Sequence, residues 1–66
     1  MTILVNGEIK EIQKEINLSE LLELLALPSE RIAIELNREV VRKKDWANIK
    51  IKDADKIEVV YFVGGG

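Results

Sequence analysis

Asn17-Leu18-Ser19-Glu20-Leu21-Leu22-Glu23-Leu24-Leu25 carries the one strong helical pattern in this chain of 66 residues. The leucines at positions 18, 21, 22 and 25 recur at helical spacing and form a single apolar stripe. Asn17 is the expected N-cap, because Glu20 follows three residues later and completes a capping box. Pro28 is expected to end the helix. A single helix can cover only one face of the structure that folds with it.

Strand patterns precede this helix. Ile3 and Val5 alternate with their neighbours, so that both point to one side of a strand. The dipeptide Asn6-Gly7 follows at once and favours a type I′ turn, in which both central residues need a positive φ. A β-hairpin is therefore expected over about residues 2–14.

More strand patterns follow the helix. Residues 32–36 alternate as a third strand, and a turn leads from them into the short apolar pair 40–41. Residues 43–46 are typical of a single helical turn that packs Trp46 against the core, since a lone Trp in a small core is more often a packing residue than a recognition residue. The last strand is predicted over residues 56–63. The order β-β-α-β-(β)-β indicates an α+β fold, a mixed sheet of four to five strands with one main helix on one face.

The amino-acid composition argues against several classes of function. The chain has no cysteine and no histidine, so no thiolate metal site, disulfide or near-neutral histidine acid or base is available, and we expect no bound metal and no enzyme of the usual kinds. The net charge of −2 argues against nucleic-acid binding. The chain contains no apolar run of membrane-spanning length and no signal peptide, so a cytoplasmic location is expected.

The chain ends in three glycines, Gly64, Gly65 and Gly66, directly after the last strand. A glycine tail is slim and conformationally permissive, and a partner could thread it into a narrow cleft. The alternative is an idle, frayed end, since termini tolerate disorder. We expect a folded domain over residues 1–63 and a flexible tail over 64–66. Such a terminus can also present its carboxylate for chemistry.

An apolar patch is predicted beside the tail. Glu58 marks the uncovered face of the last strand, which leaves Val60 and Phe62 on that face. The same alternation points Leu4 and Ala33 outward, while Tyr61 joins the inward set of its strand. If their strands are neighbours, Leu4, Ala33, Val60 and Phe62 form one docking patch, although isolated apolar residues on a surface are common and need no explanation.

These features resemble those of a known family, the ThiS sulfur carrier proteins of thiamine biosynthesis, within the ubiquitin-like β-grasp superfamily. The resemblance covers essentially the whole chain, in the order of the family and at its short length. The residues that carry it are Ile3-x-Val5-Asn6-Gly7-Glu8, Leu21-Leu22, Ala33-Ile34-x-Leu36-Asn37-x-Glu39-Val40-Val41, Trp46, Asp53-x-Asp55 and Phe62-Val63-Gly64-Gly65-Gly66.

Two residues depart from the usual pattern of the family. Arg42 stands where a proline is common after Val40-Val41, which makes the approach to the turn at 43–46 less rigid. Ala54 stands where the Asp-x-Asp turn usually has glycine, and it is expected to be strained if its φ is positive. Neither residue touches the tail.

The resemblance implies the sheet order 2-1-5-3-4, which places the strands of Leu4, Val60, Phe62 and Ala33 side by side. It also implies chemistry at Gly66, with Gly64 and Gly65 giving access. An E1-like, ThiF-like adenylating enzyme would use ATP and Mg²⁺ to activate the Gly66 carboxylate. Sulfur from a cysteine desulfurase would convert it to a thiocarboxylate, for delivery to a ThiG-like thiazole synthase. The carrier itself would bind no cofactor and supply no catalytic side chain.

Three other functions share parts of this pattern. A MoaD-like carrier of molybdopterin synthesis uses the same terminal chemistry with a different acceptor enzyme. A ubiquitin-like protein modifier would form isopeptide bonds to lysines. A plain interaction module would carry the three glycines as an idle tail.

Overall fold

The computed structural model describes residues 1–62, and the elements in this range follow the predicted order. They are β1 (Thr2–Val5), β2 (Glu8–Glu11), α1 (Leu18–Leu24), β3 (Ile32–Leu36), β4 (Glu39–Val41), a 3₁₀ helix (Lys43–Asn48) and β5 (Lys56–Tyr61). None of the helices in residues 1–62 has the length and apolar character needed to cross a membrane.

The strands form one mixed sheet in the order β2-β1-β5-β3-β4, as the resemblance implied. The central strand β5 runs parallel to β1 and antiparallel to β3. The two outer strands, β2 and β4, each pair with their hairpin partner. The predicted α+β fold, a mixed sheet of four to five strands with one main helix, is confirmed, and the sheet has five strands in the described residues. The strand that leads to the glycine tail lies at the centre of the sheet.

Both hairpins turn through two residues with positive φ. Asn6 and Gly7 have φ values of 50° and 81°, which confirms the type I′ turn that the sequence predicts. Asn37 and Arg38 make the same kind of turn between β3 and β4, with φ values of 51° and 73°. The first hairpin is shorter than the predicted range of 2–14, since β2 ends at Glu11.

The capping box of α1 is present as predicted. The Glu20 backbone N–H donates to the Asn17 side-chain oxygen at 2.8 Å, and the Asn17 backbone N–H donates to the Glu20 carboxylate at 2.9 Å. The two bonds satisfy amide groups that have no partner within the first turn of a helix.

The predicted end of the helix was wrong. The helix stops at Leu24, four residues before Pro28, because Ala26 adopts a left-handed conformation with φ 56°. The Ala26 N–H donates to the Glu23 carbonyl at 3.0 Å and the Leu27 N–H donates to the Leu22 carbonyl at 2.8 Å. This is the hydrogen-bond pattern of a Schellman motif, which usually has glycine at the position of Ala26.

The core lies between one face of the sheet and the two helices. Its buried members are Ile3, Val5, Ile12, Ile16, Leu18, Leu21, Leu22, Ile32, Ile34, Trp46, Ile51, Ile57 and Val59. Trp46 is only 3% exposed, and its indole N–H donates to the Val41 carbonyl at 3.0 Å. The predicted packing role of Trp46 is confirmed.

Tyr61 is an exception to the alternation in β5. The sequence pattern grouped it with Ile57 and Val59 on the inward face, but its side chain is 47% exposed. Tyr61 is the last residue of β5, beyond the last position at which β1 runs alongside. Ile32, directly opposite Tyr61 on β3, is buried in the core. The exposure of Tyr61 therefore arises on the side of β5 where β1 no longer runs.

Candidate docking face at the root of the tail

The last described residue continues the ladder between β3 and β5. Beyond Tyr61, the Phe62 N–H donates to the Arg31 carbonyl at 2.8 Å. The structure thus fixes the root of the tail up to Phe62. The strand itself ends at Tyr61, before the predicted strand end at Val63. Val63 and the predicted tail site at Gly64, Gly65 and Gly66 lie outside the described residues.

Three of the four predicted patch residues come together at this root. Ala33 lies directly opposite Val60 in the β3–β5 ladder, and Phe62 follows two residues later on the same face of β5. Val60 is 46% exposed and Phe62 is 59% exposed, while Ala33 is half-buried. We call Ala33, Val60 and Phe62 the tail-root patch.

Leu4 is not part of this patch, and the prediction of one continuous set of four residues was wrong. The sheet order makes β1 and β5 neighbours, but their register pairs Leu4 with Lys56. Val60 lies four residues further along β5, about 13 Å away at roughly 3.3 Å per residue. Glu58 lies between them on the same face.

Leu4 instead forms a second apolar pair with Ile9, which the sequence pattern was not used to predict. Ile9 lies opposite Leu4 on β2 and is 70% exposed. The signal was present in the sequence, since a two-residue turn at Asn6-Gly7 pairs Val5 with Glu8 and therefore Leu4 with Ile9. The uncovered face thus carries two separate apolar areas, one at the root of the tail and one at the opposite end of β5.

An acidic pair separates the two areas. Glu58 on β5 lies directly opposite Glu35 on β3, and Glu35 in turn lies opposite the exposed Val40 on β4. A surface that docks on the tail-root patch therefore meets a local negative charge beside the apolar contact.

Asn6 ends the pairing of β1 with β5. Its backbone N–H donates to the Ile57 carbonyl at 2.9 Å, and its side-chain oxygen accepts the Val59 N–H at 2.7 Å. The side chain thus takes the place of the next backbone carbonyl of β1. After Asn6 the chain turns away into β2, so that β5 continues toward the tail without β1 beside it.

The family model of the ThiS family matches residues 3–66, which includes the three glycines. The chain belongs to the ThiS family. A crystal structure of the thiamine biosynthesis protein (ThiS) from Geobacter metallireducens superposes with a TM-score of 0.88 at 35% sequence identity, and the match covers all of both chains. The ubiquitin-like β-grasp fold implied by the resemblance is therefore shown.

Two relatives extend the ThiS comparison. The sulfur carrier protein ThiS of Bacillus subtilis is 35% identical over 49 residues, which cover 74% of each chain. A thiazole synthase of Paramagnetospirillum magneticum is 36% identical over all 66 residues of this chain. The chain spans only 20% of the length of that thiazole synthase, so a ThiS-like segment is one part of a longer protein there.

Proposed function

We propose that this chain is a sulfur carrier for thiamine biosynthesis, with the carboxylate of Gly66 as the site that holds sulfur. The observation that carries the proposal is the family match, which runs to Gly66 and so takes in the whole glycine tail. The name of the Bacillus subtilis relative and that of the Geobacter metallireducens structure agree with a carrier of this pathway.

Activation of the carboxylate is the first chemical step. A carboxylate is a poor electrophile because it is anionic and lacks a good leaving group. An E1-like, ThiF-like enzyme would hold ATP and Mg²⁺, and a Gly66 oxygen would attack the α-phosphorus of ATP and release pyrophosphate. The resulting acyl adenylate has AMP as its leaving group. This chain contributes the nucleophilic carboxylate and a narrow tail, while the enzyme contributes the cofactors.

Transfer of sulfur follows. A persulfide sulfur, originating from a cysteine desulfurase, would attack the acyl carbon and displace AMP. The attack forms a C–S bond and gives an acyl disulfide that keeps the S–S bond of the persulfide. A second thiol would cleave this S–S bond, so that the two thiols supply two electrons, end as a disulfide and leave a thiocarboxylate at Gly66. No side chain of the carrier acts as an acid or base in this scheme.

Docking places the tail in the enzyme. The tail-root patch begins four residues before the terminus, with Phe62 and Val60 exposed on the face that no described helix covers. Four residues can span at most about 13 Å at roughly 3.3 Å each, which would be enough to reach an enclosed site while the sheet face stays outside. We therefore assign the patch to the adenylating enzyme, with Glu35 and Glu58 at its border.

The acceptor is inferred from the longer relative. In Paramagnetospirillum magneticum a segment similar to this whole chain belongs to the same polypeptide as a thiazole synthase. Joining the two in one chain raises their effective concentration, which favours a transfer step between them. This supports a ThiG-like thiazole synthase as the acceptor of the sulfur.

Intact-mass measurement tests the proposal directly. The chain is incubated with the adenylating enzyme of its own organism, ATP, Mg²⁺, a cysteine desulfurase and cysteine. The expected product has one oxygen of the chain replaced by sulfur, and it should lose that sulfur when thiazole synthase and its substrates are added. A chain without residues 64–66 is the control and should stay unchanged. An unmodified mass, with an enzyme proven active on another carrier, would refute the proposal, and delivery only to a molybdopterin-forming acceptor would reassign the pathway.

A further inference from the structure

The second half of β5 has a free edge. Register pairs β1 with β5 only at Leu4 and Val5, opposite Lys56 and Ile57. The Asn6 side chain then accepts the Val59 N–H, and the chain leaves for β2. In residues 1–62 no strand lies on this side of β5 beyond Val59.

The backbone of Tyr61 faces this free side. Along β5, Lys56 and Phe62 make their backbone hydrogen bonds to the β3 side, with Asn37 at 2.8 Å and Arg31 at 2.8 Å. Successive residues of a strand alternate in the direction of their backbone groups. The N–H and C=O of Tyr61 therefore point away from β3, toward the place where β1 no longer runs.

The residue types in this half of β5 are those usually found in a strand that is buried on both faces. Val59-Val60-Tyr61-Phe62 is a continuous apolar run, which is typical of a central strand. Yet Val60 and Phe62 are exposed on one face, and Tyr61 is exposed on the other. This half of β5 therefore has the apolar composition of a buried strand but is exposed to solvent on both faces.

The outer edges of the sheet, at β2 and β4, are protected against the addition of another strand, whereas the free edge of β5 is not. Strand β2 carries Glu8, Lys10 and Glu11, and β4 has only three residues. Charged side chains and short length are the usual means of preventing another strand from adding to an edge. The free edge of β5 has no charged residue after Glu58 among the described residues, so it is suited to receive a strand.

We propose that an extended segment of the adenylating enzyme adds to this edge, with its backbone hydrogen-bonded to Tyr61. The inference rests on the proposed function and names the contact through which the enzyme sets the direction of the tail. The enzyme is the occupant because it would act on Gly66, which lies four residues after Phe62. Any protein that closes around Gly66 must pass beside the end of β5. Addition of a strand is an established mode of peptide recognition, in which backbone hydrogen bonds supply affinity.

Amide hydrogen exchange, followed by NMR, tests the proposal without any substitution. We expect the Tyr61 amide to exchange at least about tenfold more slowly when the chain is saturated with adenylating enzyme, because a new hydrogen bond shields it. The Ile9 amide is the internal control. It points outward from β2, since Val5 and Glu8 form the bonded pair at the turn, and it should stay fast.

Each outcome has a distinct meaning. An unprotected Tyr61 amide in a complex that still forms the acyl adenylate overturns this inference and leaves the proposed function standing. A failure of the enzyme to bind or adenylate the chain overturns both. Protection of Tyr61 that rises with concentration in the chain alone assigns the edge to a second copy and overturns the proposed occupant.

A pair of variants measures the contribution of the hydrogen bond. Tyr61→Ala keeps the backbone N–H, whereas Tyr61→Pro removes it at a position where its loss breaks no bond within the sheet. We expect Tyr61→Pro to bind the enzyme about tenfold more weakly than Tyr61→Ala, as the loss of one backbone hydrogen bond implies. Ile9→Pro removes an outward N–H at the β2 edge and should bind as the wild type does. Equal affinities for Tyr61→Pro and Tyr61→Ala would overturn the proposal.

Discussion

Glu35 and Glu58 lie directly opposite each other in the β3–β5 ladder, on the face of the sheet that no described helix covers. Like charges in such a cross-strand pair destabilise a sheet by a few tenths of a kcal/mol up to about 1 kcal/mol. The pair therefore lowers the stability of the isolated chain. A partner that brings a basic residue to this position would relieve the repulsion on docking.

Neutralising one member of the pair should stabilise the free chain. We expect Glu58→Gln to raise the free energy of unfolding by about 0.3–1 kcal/mol at low salt. The gain should shrink at high salt, which screens the repulsion in the wild type. Urea denaturation at two ionic strengths measures both effects. Glu30→Gln is the matched control, since it makes the same charge change in the exposed loop before β3, and a gain of equal size there would contradict the assignment.

Ala54 occupies a strained position in the turn before β5. Its φ is 71°, so the strain expected from an alanine at the usual glycine position of the family is present. The turn holds Ala54 in place, because the Ala54 N–H donates to the Thr2 carbonyl at 2.7 Å and the Thr2 N–H donates to the Asp53 carboxylate at 2.7 Å.

Ala54→Gly should therefore stabilise the chain. Relief of the left-handed conformation is worth about 1–2 kcal/mol, and the greater freedom of glycine in the unfolded chain offsets about 0.4–1 kcal/mol of it. We expect a net gain of about 0.5–1 kcal/mol in the free energy of unfolding. Ala47→Gly, in the 3₁₀ helix, lacks a positive φ and should instead lose stability, so the two variants should differ in sign in the same denaturation assay.

Trp46 joins the 3₁₀ helix to the end of β4. Trp46→Phe keeps an aromatic ring in the core but leaves the Val41 carbonyl without its hydrogen bond from the indole N–H. We expect the free energy of unfolding to fall by about 1–3 kcal/mol. A chain of this length has a total stability of about 3–10 kcal/mol, so the loss should be large in a thermal or urea unfolding curve. Tyr61→Phe is the control, because Tyr61 is half exposed and its change should stay within about 0.5 kcal/mol. Similar losses at both positions would contradict a specific role for the indole.

Features that depend on local chemistry could be predicted from the sequence. Asn6-Gly7 determines its turn because both residues accept a positive φ, and Asn17 with Glu20 determines the helix start because their side chains reach the free amides. The fold class follows from the order of such elements. The sheet order came from the resemblance to a family, since alternation alone does not say which strands are neighbours.

Features that depend on strand register or on an unusual backbone conformation could not be predicted from the sequence. Alternation shows that Leu4 points outward, but only the pairing of Leu4 with Lys56 shows that it lies far from Val60. The helix ends at Leu24 because Ala26 takes the left-handed conformation. Alanine gives no sign of this in a sequence, where glycine would have done so.

The tail-root patch predicts unequal effects of apolar substitutions on docking. Phe62→Ala should weaken binding to the adenylating enzyme by about tenfold or more, as expected for a large side chain at the centre of an interface. Ile9→Ala is the matched control, since Ile9 is similarly exposed on the same face of the sheet but lies beside Leu4 at the other end. Titration calorimetry on both variants separates the two areas, and equal losses would show that docking does not centre on the root of the tail.

A side chain in the tail should block chemistry and leave docking intact. Gly65→Val places a β-branched side chain next to the acyl carbon that must be approached, so we expect loss of pyrophosphate release with the adenylating enzyme. Because the described sheet and the tail-root patch are built from residues within 1–62, unfolding free energy and affinity for the enzyme should stay near those of the wild type. Gly65→Ala, with a smaller side chain, should retain part of the activity. Pyrophosphate release at the wild-type rate by Gly65→Val would show that the enzyme does not require a slim tail at this position.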